Sequence, residues 1–167
     1  MRLFWMFAVI SLINIVAYPQ SETWKDLKPL ASTKSQADRL GVAEKVSGNG
    51  AKLRYRLSEM SVVIEVETKG FCSEPNAEWN VPKDTIINLT INFTSPKNIN
   101  EFGFHVSDFT EHRLDNDLPG IFYMSNKEKG ILLDVEERGE NKQLLVRVLR
   151  FEPSENQNGL RCNKDQI

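Results

Sequence analysis

The chain has 167 residues, 23 Asp and Glu against 21 Lys and Arg, a net charge of −2, only 2 His and 2 Cys, and a hydrophobic share of 40%. So even a balance excludes the basic footprint of a nucleic-acid binder and gives no strongly anionic surface. Two cysteines and no Cys-x-x-Cys leave zinc and dithiol redox chemistry without their usual anchor.

Behind Arg2, the run from Leu3 to Ala17 is apolar apart from Ser11 and Asn14. A spanning helix needs about 20 apolar residues. This run is shorter and stops at Tyr18-Pro19-Gln20 without a basic flank, which is the pattern of a secretory h-region behind a minimal n-region. Residues 1–17 are expected to be a cleaved signal peptide, with the cut at Ala17 or a few residues beyond. The protein is then secreted and extracellular, without stable membrane insertion; the alternative is an uncleaved anchor. The remaining chain, about 150 residues, is one domain of ordinary size.

From Ser21 to Val46, Trp24, Leu27, Ala31, Ala37 and Leu40 recur at spacings near three or four, with Ser21 or Ser35 as N-caps, but Pro29 and Gly41 interrupt the pattern. Residues 18–50 therefore read as one or two short helices or a mobile segment. After Gly48-Asn49-Gly50 the period becomes two. Leu53, Tyr55 and Leu57 alternate with Lys52, Arg54 and Arg56, and Val62, Ile64 and Val66 with Val63, Glu65 and Glu67. A long connection over 72–84 follows, with Trp79 expected to pack on the domain.

The clearest alternation runs from Thr85: Ile87, Leu89, Ile91 and Phe93 point one way, Asn88, Thr90, Asn92 and Thr94 the other. Ser95-Pro96-Lys97-Asn98 reads as the turn that ends this strand. Phe102, Phe104 and Val106 predict the next strand, which carries His105 and leaves His112 in the following loop. Strands at Ile121–Met124, Ile131–Glu137 and Gln143–Phe151 complete the series, the last two joined by a hairpin turn at Arg138-Gly139-Glu140-Asn141. About seven strands with no helix pattern between them exclude strand-helix-strand crossovers over 51–167. The expected fold is all-β: an antiparallel, jelly-roll-like β-sandwich, with a closed β-barrel as the alternative.

Two cysteines in a secreted chain have one intramolecular pairing, Cys72 with Cys162, which closes 90 residues of chain. Two sequons, Asn88-Leu89-Thr90 and Asn92-Phe93-Thr94, place both Asn side chains on the polar side of one strand, about 13 Å apart at the usual rise. Both are candidate N-glycosylation sites, and a glycan there would cover that sheet face and push recognition to another face or to the loops. Lys52, Arg54 and Arg56 form a basic stripe that is a candidate contact for an acidic partner or a sulfated sugar.

No catalytic constellation emerges. Gly-x-Ser-x-Gly and phosphate-binding loops are absent, and His105 and His112 fall out of step with their neighbouring acids. An EF-hand beginning at Asp115 fails at Pro119 and Asn126, although Asp108, Glu111, Asp115 and Asp117 leave an irregular calcium site open. The sequence thus predicts a glycosylated binding module for an extracellular protein or glycan, without catalysis, cofactor or metal. The alternatives are an extracellular hydrolase using scattered carboxylates and a carrier of small apolar ligands.

Overall fold

A computed structural model describes residues 23–47, 51–113 and 120–162; the expected signal peptide, Asp115 and Asp117 lie outside these. Eight strands form one antiparallel sheet: β1 (Ala43–Lys45), β2 (Lys52–Arg56), β3 (Met60–Val66), β4 (Ile86–Asn98), β5 (Thr110–His112), β6 (Ile121–Asn126), β7 (Ile131–Arg138) and β8 (Gln143–Phe151). Their order across the sheet is β1-β2-β3-β4-β8-β7-β6-β5. The strands are not divided between separate ladders, because β4 pairs with β3 along one edge and β8 along the other. Nor is the sheet a closed barrel, since it ends in β1 and β5, each three residues long. Such short edges limit the row of open backbone groups that other chains could pair with.

Period-two patterning sets the two faces. Leu53, Tyr55, Val62, Ile64, Leu89, Ile91, Leu133, Val135, Val146 and Leu149 turn to one side and join a single buried cluster. That cluster also takes Trp24, Leu27, Ala37 and Leu40 from the segment before β1. There the chain makes 3-10 turns at Thr23–Asp26 and Asp38–Leu40 around a one-turn α1 (Lys34–Ala37). Tyr55 fixes this segment to the sheet, its hydroxyl donating to Asp38 Oδ1 at 2.8 Å. Burial, together with Asp38, pushes the Tyr55 hydroxyl well above the usual phenol range, while the Lys34 ammonium holds the Asp38 carboxyl below its ordinary value.

Three expectations for the strands need correction. First, Ile87 does not share a face with Leu89 and Ile91. The register passes from Glu65 opposite Asn88 to Val66 opposite Ile86, so Ile87 is the extra residue of a bulge. Ile86 takes the core position instead, and Ile87 packs with Trp79 and Val81 in a second cluster. Second, Ser95-Pro96-Lys97-Asn98 does not reverse the chain. Four residues of β4, Phe93 to Pro96, lie between register pairs that on β8 are separated only by Arg147. This wide bulge accommodates Pro96, which has no N–H to give a ladder.

Third, residues 102–107 are not a strand. Asn98 accepts from Asn100 N at 2.9 Å while Glu101 accepts from Asn98 N at 2.8 Å, which caps a 3-10 turn over Ile99–Phe102. Gly103, at φ 70°, ends that turn in the left-handed region. A second 3-10 turn, Val106–Asp108, leads into β5. His105 therefore lies before a turn rather than on a strand, and His112 closes β5 rather than sitting in a loop.

The Cys72–Cys162 disulfide is present, with Cα atoms 5.3 Å apart. It ties the end of the described chain to the connection between β3 and β4. Trp79 is buried there, as its residue type suggested.

Candidate functional site

On the face opposite the core, the strand register lays out a cross. One arm runs over the sheet from Arg54 through Val63 and Thr90 to Arg150, four residues aligned on β2, β3, β4 and β8. Three strand spacings separate the two arginine backbones, about 14 Å. The other arm runs along β4 from Asn88 through Thr90 to Asn92. These residues, with Lys52, Glu65, Val46 and Glu152, line an open groove of about 420 Å³.

Its charges are partly committed. Lys52 Nζ lies 3.7 Å from Glu65 Oε2, the oxygen that also accepts from Asn88 Nδ2 at 3.3 Å. Arg150 Nη1 is 3.9 Å from Glu152. Three cations thus face two carboxylates, and the pairs are long enough to be loose contacts rather than tight bridges. Half-burial pushes the neighbouring Asp134 carboxyl above its ordinary range, an effect that Arg150 and Arg147 partly offset.

The basic stripe expected from Lys52, Arg54 and Arg56 divides. Lys52 and Arg54 line the groove, whereas exposed Arg56 reaches outward to Glu44 at 2.8 Å, holding that carboxyl below its usual value. The fold replaces it with Arg150 from β8. Asn88 and Asn92 lie on this same face, each half-buried between two neighbouring strands. The sequons and the basic residues therefore share one surface, which neither motif disclosed by itself.

His112 has left the acids it neighbours in sequence. Its Nε2 is 2.8 Å from Ser125 Oγ across the β5–β6 ladder. Of the acidic stretch, Asp108 pairs with Lys129 at 3.0 Å and Glu111 with Arg113. Among the described residues no group of three or more His, Cys, Asp or Glu is arranged to hold a metal ion. Phe102, Phe104 and Phe109 are half-buried against the main cluster, with successive rings 5.8 and 5.5 Å apart.

A second open cleft, of about 500 Å³, lies at the other end of β3. Trp24, Leu57, Met60, Phe93 and Phe102 supply its apolar wall, and the Lys97–Glu59 pair its rim. Among the described residues no helix is long and apolar enough to cross a membrane. Compared with protein-family models, curated proteins and solved structures, the chain matches none.

Proposed function

We propose that this is a secreted, glycosylated binding module that holds an anionic group of an extracellular glycan or protein partner in the polar groove, without catalysis. The observation that carries this reading is the convergence of Lys52 and Arg54 from β2 and Arg150 from β8 around Thr90 and the two Asn side chains. Guanidinium groups offer forked donors that match carboxylate and sulfate oxygens, and Thr and Asn add neutral hydrogen bonds. The groove carboxylates, each beside a cation, are placed to orient donors rather than to act as an acid-base pair. The bulged β4 also supports a sandwich-like reading of the fold, in which residues 93–96 form the corner between two leaves of one bent sheet.

The test uses protein made without glycans and a column of sulfated polysaccharide. Retention at physiological salt is expected, with Arg54→Ser/Arg150→Ser eluting at clearly lower salt because two phased cations are lost. Arg56→Ser, whose side chain points away, should elute close to the parent. Passage of the parent protein without retention would sink the proposal.

The alternative of a carrier for small apolar ligands rests on the aromatic cleft beside Trp24. Mass spectrometry of solvent extracts from the purified protein separates the two readings.

A further inference from the structure

The groove that Lys52, Arg54 and Arg150 line also presents the Asn residues of both sequons. We infer that the chain's own N-glycan, carried on Asn92, occupies it, so that glycosylation and anion binding at this face exclude each other. The inference rests on the proposed binding role and adds its regulation.

The geometry distinguishes the two sequons. Asn88 uses Nδ2 to hold Glu65, and Thr90, the hydroxyl residue of its sequon, stands half-buried at the centre of the groove. Among the described residues no hydrogen bond engages the Asn92 side chain. Asn92 is also the last residue of β4 before the register with β8 breaks, so the sheet opens beside it, and Thr94 of its sequon is exposed. A sugar on Asn92 displaces no internal contact.

Modification of Asn92 draws on a polyprenyl-pyrophosphate-linked oligosaccharide as co-reactant. Nδ2 attacks the anomeric carbon, the Nδ2–C bond forms as the bond from that carbon to the phosphate oxygen breaks, and the lipid pyrophosphate leaves. The transferase base takes one Nδ2 proton. The attached sugar then projects from the same face as Thr90, one alternate residue away, about 7 Å along the strand. That places it beside the row that holds both Arg54 and Arg150, where neutral sugar hydroxyls satisfy the guanidinium donors and fill the space an anionic ligand needs.

The experiment compares full-length protein secreted from glycosylating cells with Thr94→Ala and Asn92→Gln, which remove the acceptor in two different ways. The probe is a sulfated oligosaccharide of defined length. Glycopeptide mass spectrometry should find Asn92 occupied, and both variants should bind the probe roughly tenfold tighter or more than the glycosylated parent. Thr94→Ser, which keeps the Asn92 sequon and alters a residue outside the groove, should stay as weak as the parent. Enzymatic removal of the glycan is avoided because it leaves Asp at 92 and adds a carboxylate to the groove. An unoccupied Asn92 in the secreted protein, or equal binding by glycosylated and unglycosylated forms, overturns this inference while leaving the groove reading intact. Absence of binding by every form overturns both.

Discussion

Two long connections flank β4, and they are ordered by opposite means. Residues 67–85, before it, depend on a buried carboxylate of their own and on partners far away in sequence. The carboxylate of buried Glu67 accepts from the backbone N–H groups of Lys69, Glu78 and Trp79 at 3.0 to 3.1 Å. Asn80 donates to Leu160 O at 2.7 Å, Cys162 donates to Glu78 O at 2.9 Å, and the disulfide closes the set. Residues 99–109, after β4, are held mainly by local contacts, with an outside tie at their end where Asp108 meets Asn126 and Lys129. Short turns, the first capped by Asn98, satisfy their own amides, and phenyl rings in contact from Phe93 through Phe102 and Phe104 to Phe109 supply the burial. The contrast shows that a segment without strand pairing still needs acceptors for its amides, and that a buried carboxylate or a run of tight turns can provide them.

The largest effect should come from cutting the long-range tie. Cys72→Ser/Cys162→Ser releases a 90-residue loop, for which chain entropy gives about 4.6 kcal/mol as an upper figure. Denaturant unfolding should show most of that loss, and limited proteolysis should cut within 67–85 while sparing 99–109. Comparable cutting in both segments would erase the distinction.

Glu67→Ala should cost about 3 kcal/mol, because three amides lose one shared acceptor in a site where only 4% of the residue is exposed. Glu67→Gln keeps one acceptor oxygen and should recover part of the loss. Identical melting of the two variants would mean that side-chain packing, not amide acceptance, orders this connection.

Phe104→Ala should have the smallest effect, about 1–2 kcal/mol, since the ring is half-buried and its neighbours touch it on one side each. Hydrogen exchange should speed up over 99–109 and stay unchanged over 67–85. Loss of protection in both would show the two connections to be one cooperative unit.

Some of these arrangements were legible in the sequence. Alternation in β2 and β3 named core residues such as Leu53, Tyr55, Val62 and Ile64, and two cysteines allowed one bridge. The errors share a cause: period two identifies a face only while pairing is regular. Ile87 kept the period, yet the bulge there turned it to a second cluster, whereas Phe93 still packs against the main core. Phe102 and Phe104 also kept it, but Asn98, Glu101 and Gly103 carried the local signal of a capped turn, and that signal prevailed. His112 could not be placed because its partner, Ser125, lies on a strand that local patterning does not pair with β5.

The sequence by itself determined the all-β class, the two chemically distinct sides of each regular strand and the two cysteines available to one another, because these follow from side-chain period and residue count. Only the tertiary structure decided that one continuous sheet forms, that Arg150 rather than Arg56 completes the groove, and that the basic residues share a surface with Asn88 and Asn92. The reason is register: Arg54 and Arg150 become neighbours through the hydrogen-bonded ladders of β3 and β4, and the pairing of strands so distant in sequence is set by the packing of the whole core rather than by any local run of residues.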